Sequence, residues 1–197
     1  DNLSCGGSIR VAGDSQPRKC WKTQGHGGQT LTQATQHSCN VAFINLGLRV
    51  GAERFYEYCE AFGLLNLPKD SSHTPTGKTG IDLSGESGSI WWSRDVFCKE
   101  DSLSPLAAAS FGQTFTITPI QLITAVSACV NGGYLNQPYV VEQILDDEGN
   151  VVFQHDNTPI RQVISNDTSA KACEILEYVV SDGTGANGQV PGYRIGG

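Results

Sequence analysis

Residues 111–133 read FGQTFTITPIQLITAVSACVNGG, and this stretch contains the clearest helix start in the chain. Thr118 is a typical N-cap residue, Pro119 suits the first helical position, and Gln121 can bond back to the cap amide. Asn131-Gly132-Gly133 then ends the helical pattern. The stretch predicts a helix, with a buried stripe formed by Leu122, Val126, Cys129 and Val130.

Upstream of this helix the pattern is mainly helical. Thr30 can cap a helix running from Leu31 towards Ser38, a second helical stretch covers Val41–Leu48, and a third follows. The third carries an i, i+3, i+4, i+7 stripe, formed by Phe55, Tyr58, Cys59 and Phe62. Before the helices, a Gly-rich segment contains a potential hairpin through Ser8–Val11, Gly13 and Asp14. After them, Pro68–Ser89 reads as a long surface loop.

Downstream, the pattern changes to strands and one more helix. Tyr139–Leu145 and Val151–Phe153 predict a β-hairpin, a helix covers Ala170–Val180, and Ile195–Gly197 reads as a truncated strand. This order predicts an α+β fold and not alternating βαβ units. Within one partial domain over 1–197 we expect a Gly-rich part (1–29), a mainly helical part (30–133) and a final part (134–197) holding the hairpin and last helix.

Composition and charge limit the function classes. The 197 residues are 39% hydrophobic and carry a net charge of -7, so the chain is globular and unsuited to a broad nucleic-acid footprint. The longest mainly apolar stretch, Ile117–Val130, is shorter than the roughly 20 residues that span a bilayer. Because the sequence begins at Asp1 and has no Met, we expect it to be a piece of a longer protein.

The seven cysteines are an odd count. Cys5 and Cys20 are the candidate disulfide pair, because they flank the potential hairpin. The others in helical patterns read as small buried hydrophobic residues: Cys39, Cys59, Cys129 and Cys173. The chain has no C-x-x-C and its four histidines are scattered, so the spacing disfavours a zinc module. We predict no metal site and no cofactor.

Two motifs that resemble phosphate-binding loops fail on context. Gly183–Gly188 fits G-x-G-x-x-G, but it follows a helix where a dinucleotide site must follow a strand. Gly77-Lys78-Thr79 resembles the end of a P-loop, yet Ser72 stands where the first glycine is required. Both read as connections between elements.

The segment His37-Ser38-Cys39-Asn40 has chemical content. Ser38 and Asn40 are two residues apart, so on a regular helix they would point in different directions, whereas in a turn they could share a face. If both act at one site, the helix must break between them. The alternative is that both residues cap a helix junction.

The ordered motifs of the whole chain resemble the transpeptidase domain of class B penicillin-binding proteins, most closely their sporulation type. The segments that carry the resemblance are Cys20-Trp21-Lys22, Gly25-His26-Gly27, Ser38-Cys39-Asn40, Lys78–Leu83 with Gly85-Glu86, Phe111-Gly112-Gln113, Thr118–Gln121, Asn131–Gly133, Gly183-Thr184-Gly185 and Gly192–Gly197. The resemblance implies an incomplete fold of the penicillin-binding and serine β-lactamase type, mainly its helical subdomain, with a β-hairpin and a truncated strand.

The family's active site combines S-x-x-K, S-x-N and K-T-G. Only the second is expected here, with Ser38 relaying a proton and the Asn40 amide binding the substrate backbone. No Ser is followed three places later by Lys in this sequence, and the resemblance places the active K-T-G directly after Gly197. Lys78-Thr79-Gly80 is then a surface triplet without a chemical role. Cys39 is a weaker candidate nucleophile, because no neighbouring base is identifiable.

The resemblance implies a serine-type D,D-transpeptidase that cross-links peptidoglycan stem peptides ending in D-Ala-D-Ala and is acylated by β-lactams, in sporulation. It implies a bacterial protein outside the cytoplasm, anchored by an amino-terminal membrane helix and working with other cell-wall synthesis proteins. Without its other two motifs, the isolated chain is expected to be inactive. Two alternatives stay open: a non-catalytic scaffold with the same fold, and a β-lactamase or β-lactam sensor.

Overall fold

All the helices that the hydrophobic pattern predicts are present in the computed structural model, which describes residues 2–65 and 77–197. The helices are α1 (Leu31–Gln36), α2 (Asn40–Val50), α3 (Ala52–Ala61), α4 (Arg94–Phe97), α5 (Ser104–Ser110), α6 (Pro119–Val130) and α7 (Asn166–Asp182). The N-caps at Thr30 and Thr118 both form complete capping boxes, with Gln33 and Gln121 as partners. The short helices α4 and α5 are not predicted from the hydrophobic pattern.

The strands are short and antiparallel. They are β1 (Leu3–Cys5), β2 (Ser8–Ile9), β3 (Arg18–Lys19), β4 (Gly27–Gln29), β5 (Tyr134–Leu135), β6 (Gln143–Leu145), β7 (Val151–Gln154) and β8 (Arg161–Gln162). They pair as β1 with β4, β2 with β3, β5 with β8 and β6 with β7. Both predicted hairpins, β2–β3 and β6–β7, are therefore confirmed.

The chain divides into two compact units. Unit 1 contains residues 1–57, 92–115 and 170–197, and unit 2 contains residues 58–91 and 116–169. In unit 1, helix α2 packs on α5 and on strand β1. A buried cluster forms part of the unit 1 core: Leu3, Cys5, Cys20, Ala34, Cys39, Val41 and Ala42.

The predicted buried face of α6 is wrong. Leu122, Val126 and Val130 are 51%, 43% and 45% exposed, whereas Gln121, Ala125 and Ala128 are buried. The Gln121 side-chain amide donates to the carbonyl oxygens of Gly63 (3.2 Å) and Leu64 (3.3 Å). Since α6 carries apolar residues on several sides, the pattern alone could not show that hydrogen bonding and small side chains would select the other face.

Three further expectations can be compared with the structure. Tyr56 is fully buried in α3 although the predicted stripe omitted it, and Tyr58 of that stripe is 45% exposed. Of the predicted loop Pro68–Ser89, residues 77–89 contain no helix or strand and the remainder lies outside the described residues. The truncated strand at Ile195–Gly197 does not form a ladder; instead the Gly197 amide donates to the Leu176 carbonyl oxygen of α7 at 3.1 Å.

Candidate functional site

The candidate site begins at a break between two helices. Helix α1 ends at Gln36 and α2 begins at Asn40, so Ser38 and Asn40 do not lie on one continuous helix. Ser38 has a backbone φ of 47°, in the left-handed region, which turns the chain sharply. Trp21 supports the turn, since its indole N–H donates to the His37 carbonyl oxygen at 2.9 Å. The turn leaves Ser38 exposed and Cys39 buried.

Ser38 and Asn40 share one cavity of unit 1, with a volume of about 330 Å³. Its lining residues are Thr35, Ser38, Asn40, Phe43, Ser110, Phe111, Val179 and Gly197. The helix break therefore has the consequence expected from the sequence, because two residues that a regular helix would separate face the same space. The cavity is lined by both hydroxyl-bearing and apolar residues.

Thr184 contacts Ser38 directly. The two hydroxyl oxygens are 3.2 Å apart, and either can donate. The Thr184 amide also donates to the carbonyl oxygen of Gln36, at 3.0 Å. Gly183 allows this approach, because a Cβ there would lie 2.7 Å from the Val179 carbonyl oxygen and 2.9 Å from that of Gln36. The sequence of Gly183–Gly188 reads as a connection and gives no sign of this contact, although Gly183-Thr184-Gly185 is among the segments that carry the family resemblance.

Asn40 is anchored by strand β3. Its side-chain amide donates to the Lys19 carbonyl oxygen of β3 at 3.2 Å. The hairpin β2–β3 therefore fixes the orientation of the Asn40 side chain.

The triplet Lys78-Thr79-Gly80 lies in unit 2 and is not part of a strand. The Glu86 carboxylate accepts hydrogen bonds from the Thr79 amide (2.7 Å), the Thr79 hydroxyl (2.6 Å) and the Gly80 amide (3.0 Å). Asp82 of the same segment accepts from the amides of Val140 and Val141 at 2.7 and 2.8 Å. These contacts give the triplet a structural explanation, as expected for a surface segment.

Cys39 is a poor nucleophile in this setting. Its side chain is fully buried, and burial raises the pKa of its thiol to about 11. Since the thiolate is the reactive form, a buried and protonated thiol cannot readily attack a substrate at neutral pH.

Cys39 also belongs to a cluster of metal-ligand types together with Cys5, Cys20 and His26. The thiols of Cys5 and Cys20 are free in the structure and buried, so their disulfide stays a prediction. The spacing of the cysteines gave no indication of the cluster, because its members are brought together from separate strands, loops and a helix start.

Three comparisons with known proteins place these features in a family. Residues 8–197 match the penicillin-binding protein transpeptidase domain. Stage V sporulation protein D of Bacillus subtilis is 39% identical over 93% of this chain and 26% of its own length. Peptidoglycan D,D-transpeptidase MrdA of Acinetobacter baumannii is 28% identical over 99% of this chain and 28% of its own length.

Among solved structures, penicillin-binding protein 3 of Mycobacterium tuberculosis in complex with aztreonam superposes with a TM-score of 0.81 and 27% identity, over 98% of this chain and 41% of that one. The chain thus spans about a quarter of the length of the curated relatives it matches. The fold is that of the transpeptidase structures. Because the match covers nearly the whole sequence, from residue 8 to residue 197, the chain belongs to the penicillin-binding protein transpeptidase domain family.

Proposed function

We propose that this chain is part of a bacterial serine-type D,D-transpeptidase that cross-links peptidoglycan stem peptides during spore cortex synthesis. The observation that supports this most directly is the shared cavity of Ser38 and Asn40 at the helix break. In this family the S-x-N motif presents both side chains to one substrate, and the shared cavity of Ser38 and Asn40 supports that role here. The name of the relative with 39% identity supports the sporulation role.

In the proposed reaction, a serine of the S-x-x-K motif attacks the penultimate D-Ala carbonyl and releases the terminal D-Ala. The lysine of that motif takes the serine proton, because a serine hydroxyl is a weak nucleophile without a base. Ser38 passes a proton between the lysine and the leaving amine, and Thr184, 3.2 Å from it, orients the Ser38 hydroxyl. Asn40 binds the peptide backbone of the substrate. An amine of a neighbouring strand then takes the acyl group.

The isolated chain is proposed to be inactive. Its sequence contains no Ser-x-x-Lys, and its single Lys-Thr-Gly is the Glu86-bound triplet of unit 2. Without a nucleophile no acyl-enzyme can form, so the site of this chain contributes the proton relay and a substrate contact only.

The proposal extends to location and partners. By family membership the protein works at the outer face of the bacterial membrane, held by an amino-terminal anchor, alongside other cell-wall synthesis proteins. Among the described residues no helix is both long and apolar enough to span a bilayer. The aztreonam complex of the Mycobacterium tuberculosis relative supports β-lactams as ligands of the complete domain.

A non-catalytic scaffold is the second candidate. The same motifs would preserve the fold in a protein that catalyses no reaction, and the features of the Ser38 cavity do not by themselves require turnover. The two functions differ in whether the natural protein carries Ser and Lys at S-x-x-K and Lys at the active K-T-G.

Labelling with a fluorescent penicillin tests the proposal. The natural protein that contains this chain is compared with the isolated 197 residues, and Ser38→Ala is compared with wild type. We expect labelling of the natural protein only, and an acylation rate about 10²-fold lower in Ser38→Ala, because a positioned acid–base group contributes roughly 10²- to 10⁴-fold. Ser127→Ala, in α6 of unit 2, is the matched control and should label at the wild-type rate.

Each other result has a definite meaning. A folded natural protein that stays unlabelled would favour the scaffold. Labelling of the isolated chain would show that its own residues include the nucleophile. Equal rates for Ser38→Ala and wild type would remove Ser38 from the proton relay.

A further inference from the structure

Four side chains of metal-ligand type converge behind the Ser38 turn. Cys5 ends β1, Cys20 follows β3, His26 precedes β4, and Cys39 is the N-cap residue of α2. Their ligand atoms all lie within 4.8 Å of one another. The three cysteines are at most 2% exposed, so the cluster lies inside unit 1 and not on its surface.

The distances suit one tetrahedral ion. With Zn–S bonds of about 2.3 Å and Zn–N bonds of about 2.0 Å, tetrahedral ligands lie about 3.8 Å apart for two sulfurs and about 3.5 Å apart for sulfur and nitrogen. The Cys20 and Cys39 sulfurs are 4.0 Å apart, and the Cys20 sulfur is 3.6 Å from His26 Nδ1. Both spacings come within a few tenths of an ångström of those that zinc requires.

A buried side-chain amide without a partner lies next to the cluster. The Gln29 side chain is 4% exposed, and its amide nitrogen has no conventional hydrogen-bond partner. The Gln29 amide oxygen contacts His37 Nδ1 at 3.1 Å, so the amide nitrogen lies beside the turn that contains Cys39.

We propose that Cys5, Cys20, Cys39 and His26 Nδ1 bind one Zn²⁺ ion in a closed structural site. Four nitrogen and sulfur ligands in a tetrahedral arrangement select zinc among the common metals of proteins, and a site with four protein ligands leaves no open position for catalysis. Each thiol binds as a thiolate and releases its proton to solvent. No oxidant or reductant is needed.

The ion would fix the S-x-N turn from behind. Cys39 lies between Ser38 and Asn40, so a bond from its sulfur to zinc would hold the turn against β1 and against the β3–β4 connection, which contains Cys20 and His26. The role of the zinc ion is to position the turn, and the zinc site does not depend on the proposed function. The site would be retained in a non-catalytic scaffold protein.

A disulfide between Cys5 and Cys20 is the competing use of the same thiols. It would remove two electrons and two protons from the pair and would leave His26 and Cys39 without a shared partner. Zinc uses all four converging ligands, which is why the geometry favours it. The two states exclude each other and differ in mass and metal content.

The test measures metal in the full natural protein, purified under reducing conditions without chelators. We expect about one zinc ion per chain, measured by inductively coupled plasma mass spectrometry. Replacement by Co²⁺ should give the visible bands of a tetrahedral ion and thiolate-to-cobalt charge-transfer bands. The cobalt spectrum needs no variant, so it stays decisive if a cysteine variant fails to fold.

Variants then assign the ligands. Cys5→Ser and His26→Ala should lose most of the bound zinc, whereas Cys173→Ala, which changes a thiol of α7 outside the cluster, should retain it. Gln29→Ala should weaken zinc binding about tenfold, as expected for a group that supports a ligand. A folded, reduced protein that binds neither zinc nor cobalt would overturn the proposal. Retention of zinc in both ligand variants, or a Cys5–Cys20 disulfide that persists under reducing conditions, would overturn it too.

Discussion

Ser38 keeps a left-handed backbone at a position where glycine would be easier to accommodate. For a residue with a Cβ, this conformation costs roughly 1–2 kcal/mol, and the φ of 47° at Ser38 carries that cost. Strain of this kind persists where the surrounding structure imposes it, and it clusters at functional sites. In return for the strain, the turn carries the Ser38 hydroxyl, which lies 3.2 Å from the Thr184 hydroxyl.

This strain can be measured by comparing Ser38→Gly with Ser38→Ala. Both variants lose the hydroxyl, but only glycine relieves the left-handed conformation. We expect Ser38→Gly to be about 1 kcal/mol more stable to unfolding than Ser38→Ala, measured by urea denaturation. Equal stabilities would show that the turn adapts without strain.

Thr184 provides a second test at this scale. Thr184→Val removes the hydroxyl and keeps the shape, so penicillin acylation of the natural protein should slow about three- to tenfold, the equivalent of one neutral hydrogen bond. Thr184→Ser restores the hydroxyl and should recover most of the rate. A rate that Thr184→Ser fails to recover would point to packing instead of the hydrogen bond.

The candidate site could be predicted only in part. Ser38 and Asn40 were identifiable, because they are close in sequence and form a motif with known chemistry. Thr184 is 146 residues from Ser38, and no local pattern relates the two. The proposed zinc ligands could not be predicted for the same reason. Cys5, Cys20, His26 and Cys39 have none of the short spacings of zinc modules. The β1–β4 and β2–β3 pairings and the packing of α2 on β1 bring them together.

At the scale of elements, helix starts were predicted more securely than helix faces. The caps at Thr30 and Thr118 depend on residues within one turn, so the sequence contains the whole interaction. The buried face of α6 depends on what lies beside it. The Gly63 carbonyl oxygen needs a donor, and Gln121 supplies it; Gln121 also donates to the Leu64 carbonyl oxygen, which the Ser89 hydroxyl contacts as well.

Substitutions in α6 test this distinction. Gln121→Leu would leave the Gly63 carbonyl oxygen without this donor, whereas Leu64 keeps the Ser89 hydroxyl at 3.3 Å. The variant should be destabilised by about 2 kcal/mol, the cost of a buried unsatisfied polar group. Leu122→Ala, at a side chain 51% exposed, should cost clearly less than the 2–5 kcal/mol typical of a buried leucine. Urea denaturation of both variants decides the matter; a larger loss for Leu122→Ala would restore the face predicted from hydrophobicity.

At the scale of the whole molecule, each unit contains a carboxylate whose hydrogen bonds stabilise its charged form. In unit 1, Asp14 accepts from the Arg18 guanidinium at 2.6 and 2.9 Å and from the Ser104 hydroxyl at 2.6 Å. The Arg18 hydrogen bonds hold the pKa of Asp14 below its usual value. In unit 2, burial alone would raise the pKa of Glu86, but hydrogen bonds from Thr79 and Gly80 outweigh it, and the pKa is lowered.

A lowered carboxyl pKa makes stability depend on pH in a defined direction. The unfolded chain takes up protons first, near pH 4, so the stabilisation is complete above that pH and is lost as the pH falls through the folded pKa values. We expect the free energy of unfolding, measured in urea from about pH 7 to about pH 3, to fall steeply below about pH 4.5. Asp14→Asn and Glu86→Gln should each lower stability at neutral pH, by about 1 kcal/mol for the partly buried Asp14 pair, and flatten the acid slope. Glu100→Gln, at an exposed position between α4 and α5, controls for the loss of one negative charge. Acid slopes that stay parallel in all the variants would place the acid sensitivity of the fold elsewhere.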